Sequence, residues 1–392
     1  MTTPTAVTPR TVRAALDEHA DAIDQDASDE QAMARRHRPR AFSQCAGQEL
    51  AATLLQRVAA NRTPHHAYLF VGPRGTGKTT MARVFAAALN CPNAQAGEPC
   101  GTCQTCSAIA RGADLDVVEI DAASHNKVED ARDLTSKVMM AAVGGRFRVF
   151  ILDEAHMLTT QAWNALLKTL EEPPPRAVFI LATTEAGKVL ATVEDRCHRV
   201  NFRRPAPGTL SVQVQEVAAV EGISLDADAR LLIARHAQGS YRRALGALEQ
   251  IAAVTDREQV VTGPHASRLL GAADGQLSAD LFQAIVYANS TQALALIAQA
   301  IADGIEPGAI LRDLERHSRE VLICTTVGDV PDSLVYSAEQ RDTLAAHAQA
   351  VTAAHPIRLI DRIAAALRAI SDGADPRTQL EVCAIDPFGA AA

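Results

Sequence analysis

Three groups of residues in this 392-residue chain have types and spacings suited to chemistry. The first is Gly72-Pro73-Arg74-Gly75-Thr76-Gly77-Lys78-Thr79, followed by Thr80, which fits G-x-x-x-x-G-K-[ST]. In this pattern glycines let backbone N–H groups close around phosphate oxygens, the lysine reaches the β- and γ-phosphates, and the threonine hydroxyl serves Mg²⁺. The second is Val149 to Glu154, an apolar run ending in two carboxylates. Asp153 suits a Mg²⁺ held through its water shell, and Glu154 suits polarising an attacking water. His156, two residues on, reads as a packing or capping residue at a helix start. The third is Cys91, Cys100, Cys103 and Cys106, spaced C-x8-C-x2-C-x2-C. Four thiolates close a tetrahedron and leave no open position for water, which predicts a structural zinc that takes no part in hydrolysis.

The elements around these groups place them where the chemistry needs them. His66–Val71, Asp116–Ile120, Arg148–Leu152 and Ala177–Ala182 are apolar on both faces, as strands of a parallel sheet covered on both sides must be. Helical stretches lie between them at Thr79–Leu89, Val128–Met140 and Gln161–Glu172, the last stopped by Pro173, Pro174 and Pro175. The glycine loop thus follows a strand and opens a helix, and the βαβ rhythm predicts a doubly wound α/β domain. Past Pro205 and Pro207 the strand signal fades and the sequence reads as helical. The expected division is an acidic extension over 1–34, an α/β domain over 35–206 with a zinc module at 91–106, a small helical domain over 207–268, and a second helical domain over 269–392.

Composition sets the outer bounds. Hydrophobic residues are 47% and charged residues 21%, which excludes an intrinsically disordered chain. Aromatics are only 4% and alanine is abundant, favouring a helix-rich body. The formal net charge of -8 offers no global positive field for nucleic acid, so any such contact must come from a local patch. No apolar run approaches the roughly 18 residues of a membrane span, and residues 1–30 lack the apolar core of a signal peptide. The expectation is a soluble, cytoplasmic protein without membrane contact. In that compartment the clustered cysteines read as metal ligands rather than disulfides, while Cys45, Cys197, Cys324 and Cys383 are scattered. Asp17, Glu18, Asp21, Asp24, Asp26, Asp29 and Glu30 form an acidic run, followed by Arg35, Arg36, Arg38 and Arg40; both read as solvated charge.

From about 37 to 204 the sequence resembles the motor domain of the gamma/tau subunits of bacterial DNA polymerase III, clamp-loader ATPases of the AAA+ class. The segments that carry the resemblance are HHAYLFVGPRGTGKTTMAR, the four-cysteine insert after ALNC, DVVEIDAASHNKVEDARDL, FILDEAHML, WNALLKTLEEPP and FILATTE. The helical remainder matches more weakly. The resemblance implies ATP as the nucleotide, with Mg²⁺ at Thr79 and Asp153 and Zn²⁺ at the four cysteines. It implies a sensor 1 role for Thr184, with Thr183 the second candidate, and an adenine pocket lined by Arg38, Pro39, Ala46 and Gly47. It further implies that Arg196, on the family's S-R-C motif, is a finger that enters the neighbouring subunit's ATP site. A planar guanidinium suits the charge spread over a transferring γ-phosphoryl group. Arg242, in GSYRRAL, matches the family's sensor 2 arginine.

The departures concern action between subunits more than nucleotide binding. Asp195 replaces the serine before Arg196, a carboxylate placed to pair with the finger and hold it back. EAGKVLATVE lacks the family's usual proline and histidine, Arg243 stands where an aspartate is usual, and His37 replaces a tyrosine. The family's longer form carries a basic, proline-rich extension beyond its third domain. This sequence stops at Ala392, after Asp386-Pro387-Phe388-Gly389, and resembles the shorter form in length.

The function so implied is an α/β P-loop ATPase that opens a sliding clamp and loads it onto primed DNA. Its partners would be copies of itself, delta-type and delta-prime-type subunits in a pentameric ring, the clamp and primer-template DNA. No paired-carboxylate polymerase site is found, so the chain would belong to the polymerase assembly without synthesising DNA. One alternative is a motor of another pathway, against which the four-cysteine insert and LLKTLEEPP argue. The other is a structural or divergent AAA+ subunit of a replication or recombination complex with little hydrolysis of its own. Intact Lys78, Thr79, Asp153 and Glu154 argue against that, and Asp195 argues for it.

Overall fold

The computed structural model of the chain describes residues 32–125, 128–138, 142–256, 259–271, 275–331, 334 and 338–387. The acidic extension lies outside these residues except for 32–34, as does the end of the helix expected over Val128–Met140. The chain divides into two compact units, one formed by 1–209 with 239–246 and the other by 210–238 with 247–392.

In the first unit, a single helical turn α1 (Met33–Arg36) and helix α2 (Glu49–Asn61) precede strand β1 (Ala67–Val71). Helix α3 (Lys78–Asn90) follows the glycine loop, and α4 (Gln104–Arg111) lies within the cysteine insert. Then come β2 (Val117–Asp121), α5 (Val128–Val138), β3 (Arg148–Asp153), α6 (Thr160–Glu171), β4 (Ala177–Thr183), the short α7 (Ala191–Glu194) and β5 (His198–Asn201). All strands are parallel, in the order β2-β3-β4-β1-β5. Successive side chains of a strand point to opposite faces. Tyr68 and Phe70 accordingly join Ile151, Ile180 and the α2–α3 side. Ala67 and Leu69 join Phe150, Phe179, Trp163 and Leu166 on the α5–α6 side. The inner strands β1, β3 and β4 are buried almost end to end, while the edges β2 and β5 are half exposed. This is a doubly wound α/β sheet, as the four apolar runs predict.

The fifth strand was not among the expected ones. His198-Arg199-Val200-Asn201 buries only Val200, because an edge strand shows one narrow face to the core and leaves the rest to solvent. Its pairing with β1 leaves that strand between β4 and β5, so the residues just after β1 open into the crevice between β4 and β5 at their C-terminal ends. Open α/β sheets bind ligands at such ends.

Two polar side chains hold the rear of this sheet. Asn90, the last residue of α3, donates to the Phe147 carbonyl at 2.9 Å and accepts from the Arg146 and Phe147 N–H groups at 3.0 and 2.9 Å. Asp116, only 3% exposed, accepts from the N–H groups of Val143 (2.7 Å), Gly144 (2.8 Å) and Gly145. Burial raises its pKa, but these N–H bonds, with Arg148 beside them, bring it below its ordinary value. The loop before β3 therefore enters the sheet at a fixed point.

The second unit is helical. Helix α8 (Pro207–Glu221) runs into it from residue 210, followed by α9 (Ala227–His236). Helix α10 (Tyr241–Ala252) contributes residues from 247 on, and α11 (Gly263–Leu270) is next. Asp226 caps α9 by accepting from Ala229 N–H at 2.6 Å and also accepts from Gly263 N–H at 3.3 Å. Helices α12 (Gly275–Val286), α13 (Ser290–Ala302), α14 (Pro307–Val327), α15 (Ala338–Ala350), α16 (Ala354–Ser371) and α17 (Pro376–Ile385) enclose a core that includes Phe282, Leu314, Leu359 and Leu380. Alanines at Ala284, Ala293, Ala300, Ala366 and Ala384 line this core, so the abundant alanine packs helices closely here. Among the described residues no helix is long and apolar enough to cross a membrane.

Asp116→Asn should lower stability by about 1–3 kcal/mol at neutral pH, because N–H groups are left with a poorer acceptor. The lowered native pKa makes this contribution complete above the unfolded value of about 3.9 and lost as pH falls through the native one. Urea unfolding of both proteins at pH 7 and pH 3 measures it: the difference should shrink at the lower pH, and an equal difference at both would remove the charge from the explanation.

Candidate functional site

The glycine loop is shaped by what presses on it. Gly75 and Gly77 have φ of 78° and 96°, a region that favours glycine. A Cβ at Gly75 would also lie 2.1 Å from Ser240 Oγ, and one at Gly72 would lie 2.5 Å from the Phe202 carbonyl oxygen. Gly72 N–H donates to the Thr183 carbonyl at 3.2 Å, tying the loop to the end of β4. Thr76 is fully buried, and its hydroxyl donates to the Pro73 carbonyl at 2.9 Å. Arg74 is exposed, and Thr80 lies half-buried in the first turn of α3.

Lys78 opens α3 and is 6% exposed. Its Nζ donates to the carbonyls of Gly72 (2.7 Å) and Pro73 (2.9 Å). Burial lowers its pKa, Glu154 and Asp153 oppose that, and Arg242 and Arg74 add to the lowering. One turn edge away, Thr79 Oγ1 donates to Asp153 Oδ2 at 2.7 Å, bridging α3 and the end of β3. Asp153 Oδ1 accepts from Glu154 N–H at 3.0 Å, and Glu154 itself takes a left-handed φ of 48° where the strand turns away. The hydroxyl and carboxylate oxygens that a Mg²⁺ and its waters require thus meet at one point, beside the lysine that serves phosphate.

A cleft of about 650 Å³ opens here, lined by Gly72, Pro73, Arg74, Ala123, Glu154, His156, Met157, Thr184 and Arg204. Thr184 Oγ1 is 3.5 Å from Glu154 Oε2, whereas Thr183 is fully buried and turned to His156. Of the two threonines named in the sequence, Thr184 is the one that faces the cleft. His156 does not act as a cap: its Nδ1 is 3.1 Å from Thr183 Oγ1, and its side chain is 8% exposed.

A second segment reaches the loop from residues 239–246. Tyr241 N–H donates to the Gly75 carbonyl at 3.0 Å, and its hydroxyl donates to the Ala46 carbonyl. Gly47 has φ of 70°, and a Cβ there would lie 2.9 Å from that hydroxyl. Gln48, 6% exposed, donates to the carbonyls of Thr76 (3.3 Å) and Arg203 (2.7 Å). Ala46 and Gly47 are thereby fixed beside the loop. Arg38 is held in the same region, its pKa lowered by burial first and by the charges of Arg83 and Arg242. The sequence singled out 239–243 for its arginines alone; Ser240 and Tyr241, which touch the loop directly, carried no motif of their own.

Arg196 is not among the residues lining the cleft. Its guanidinium bonds the Glu171 carboxylate and the Thr192 carbonyl, both at 2.5 Å. Asp195 is exposed, so the carboxylate that pairs with Arg196 is Glu171 at the end of α6 and not the adjacent aspartate.

The cysteine insert begins where α3 ends, with Cys91 as the helix's C-terminal cap. Cys103 caps α4, its sulfur accepting from Cys106 N–H. The four sulfurs all lie within 4.8 Å of one another, with Cys91–Cys103 at 3.9 Å and Cys100–Cys106 at 4.0 Å. Zinc–sulfur bonds of about 2.3 Å put tetrahedral sulfurs about 3.8 Å apart, so the set fits this ion. Backbone N–H bonds from Cys103 and Thr102 lower the Cys100 thiol pKa to about 6, while burial raises those of Cys91 and Cys106. The insert packs back on the unit: Ser43 Oγ donates to Glu98 at 2.9 Å, and a Cβ at Gly97 would lie 2.1 Å from the Gln56 carbonyl oxygen.

Comparison with known proteins finds two matching family models and a set of similar chains. Residues 47–206 match the family model for DNA polymerase III, delta subunit, and residues 261–387 match that for DNA polymerase III subunits gamma and tau domain III. The DNA polymerase III subunit gamma/tau of Mycobacterium bovis is 38% identical over 356 residues, covering 90% of this chain and 61% of that protein. The tau subunit of Escherichia coli is 41% identical over 284 residues, covering 72% of this chain and 44% of that one. The chain thus spans less than two thirds of the length of these relatives. The RuvB Holliday junction branch migration motor of Thermotoga maritima overlays with a TM-score of 0.46 at 18% identity, covering 64% of this chain and 79% of that one. With its phosphate loop, five-stranded parallel sheet, four-cysteine insert and helical C-terminal region, the chain is similar over most of its length to DNA polymerase III gamma/tau subunits and has a doubly wound parallel α/β fold in its first unit.

Proposed function

We propose that this chain is an ATP-hydrolysing subunit of a clamp loader, which uses ATP to open a sliding clamp and set it on primed DNA. The observation that carries the reading is the 2.7 Å bond between Thr79 and Asp153, with Lys78 and Glu154 beside it, in a chain similar to gamma/tau subunits. Thr79 and Asp153 would hold Mg²⁺, which draws charge from the β- and γ-phosphates, and Lys78 and the loop N–H groups would bind those phosphates. Glu154, lining the cleft, would polarise the attacking water, with Thr184 orienting at the γ-phosphate. Ala46 and Gly47 would border the adenine, and Arg242, whose charge is felt at both Lys78 and Arg38, would answer to the nucleotide's state. The four sulfurs would hold Zn²⁺ as a structural ion.

Arg196 would act on a neighbouring copy or on delta-type and delta-prime-type subunits in a ring. A guanidinium bonded to the γ-phosphate across an interface loses that contact on cleavage, which converts hydrolysis into relative movement of subunits. Its bond to Glu171 favours a second reading, a mainly structural subunit whose finger is held in place within its own chain. Domain roles follow the same proposal: nucleotide chemistry over 35–206, a lid over 207–268 and ring assembly over 269–392. DNA contact would come from a local patch in the ring and not from the chain's net charge.

Four results are expected. Lys78→Ala should weaken binding of a fluorescent ATP analogue by roughly tenfold or more, a loss above about 1.4 kcal/mol, and abolish turnover. Glu154→Gln should leave binding intact and lower turnover by about 10²–10⁴; unchanged turnover in both variants would remove the assignment. Metal analysis should find about one zinc per chain, lost together with thermal stability when Cys100 and Cys103 become Ser; a wild-type protein without metal ends that part of the proposal. In the assembly with loader partners, clamp and primed DNA should stimulate ATP hydrolysis, and Arg196→Ala should abolish the stimulation. Slow hydrolysis indifferent to clamp, DNA and Arg196 would instead establish the structural reading.

A further inference from the structure

His156 is a histidine at the mouth of the cleft with its ring turned inward. It follows Glu154 by two residues, and the short helical turn Ala155–Met157 swings it back toward β4. Its Nδ1 edge faces Thr183 Oγ1 at 3.1 Å and Glu154 Oε2 at 3.6 Å, and its Nε2 edge faces Glu185 Oε1 at 3.5 Å. Both ring nitrogens therefore look at oxygen atoms, two of which belong to carboxylates. The inner partner is itself fixed, since Thr183 is fully buried and its hydroxyl oxygen accepts from Glu185 N–H at 3.0 Å. The outer partner is fixed from the other side, with Glu185 bonded to Lys188 at 2.9 Å. Lys188 first, and His156 in addition, hold the Glu185 carboxyl below its ordinary range.

This arrangement links Glu154 at the end of β3 to Thr183 in β4 through one side chain. Glu154 leaves the end of β3 in a left-handed turn, a conformation that does not by itself aim a carboxylate. Thr183 and Thr184 close β4 and the cleft's far wall, and Thr184 Oγ1 stands 3.5 Å from the same Glu154 oxygen that His156 approaches. That oxygen, Oε2, is thus flanked by a ring nitrogen and a hydroxyl, both from groups anchored on or against β4.

We propose that His156 is a positioning residue that orients the Glu154 carboxylate toward the cleft by bridging it to Thr183 on β4 and to Glu185 beyond it. The inference rests on Glu154 as the water-polarising group. The inner contacts at Nδ1 carry the effect, and the outer contact at Nε2 keeps the ring from swinging out. His156 touches neither phosphate nor water in this account, so its loss shifts the hydrolytic step and spares nucleotide affinity. A carboxylate that activates water acts only from a narrow geometry, and about 1 Å of misplacement can cost about a hundredfold.

The test exploits the two nitrogens. In the 392-residue chain, His156→Asn keeps a donor near the Nδ1 position and His156→Gln keeps one near the Nε2 position. His156→Ala keeps neither. Single-turnover ATP hydrolysis should fall roughly tenfold in the Ala and Gln variants, inside the hundredfold range for a misplaced group, and only two- to threefold in the Asn variant. The dissociation constant for a fluorescent ATP analogue should stay within twofold of wild type throughout. Glu185→Gln, an exposed substitution that leaves the core untouched, should match the Asn variant and not add to it when combined. Equal losses in Asn, Gln and Ala, no loss in Ala, or affinity falling in step with turnover would each overturn the role. Failure of the phosphate-site reading shows separately, as hydrolysis that persists in Lys78→Ala.

Discussion

Thr79 and Asp153 meet across 2.7 Å although they end different strand–helix units and the strand between their own, β4, belongs to neither. A hydroxyl at the start of a helix and a carboxylate at the end of a strand can approach this closely only if three parallel strands keep their register. The inner strands achieve that by burial: β1, β3 and β4 are closed to solvent on both faces, and a slip of one residue would exchange the residues of the two cores. The positive φ at Gly75 and Gly77, the buried Lys78 and the left-handed turn at Glu154 all follow from having to bring the two chain segments to one point. Strain and buried charge are tolerated there because the sheet leaves the backbone no alternative course.

What could be read from the sequence was local. The phosphate loop, the carboxylate pair and the sulfur quartet each occupy a short span, so residue type and spacing suffice to identify them. Strands β1, β3 and β4 were legible because burial on two faces makes an unbroken apolar run, and the edge strand β2 because Val117, Val118 and Ile120 keep it apolar despite its half exposure. Strand β5 was not, since His198, Arg199 and Asn201 face outward and a single valine is no pattern. Ser240 and Tyr241 were missed for a different reason: their partners Gly75 and Ala46 lie more than 160 residues away, and no local rule links them.

The ion pair of Arg196 shows the limit most plainly. Reading along the chain, the nearest carboxylate is Asp195. Consecutive residues at a helix end point in different directions, however, and do not face one another. Asp195 closes α7 in helical conformation and is exposed, while Arg196 turns to Glu171, brought near by the return of the chain after the three prolines. His156 makes a related point. Its neighbour Thr183 closes the next strand over and Glu185 follows two residues on, so its surroundings are a property of the sheet order.

The helix α3 bears Lys78 and Thr79 at one end and Asn90 and Cys91 at the other. Thirteen residues make a rod of about 20 Å, stiff along its axis. At the far end Asn90 makes three bonds to the loop before β3, and the chain passes at once into the sulfur cluster, itself braced on Ser43 and Gln56. In mechanical terms the rod is a beam held at both ends: built in at its root and pinned at its tip by Thr79 on Asp153. Any compliance the phosphate loop has must then reside in its glycines and not in travel of the helix behind it. A load applied at the tip is delivered to the wall of the α/β unit rather than dissipated along the way.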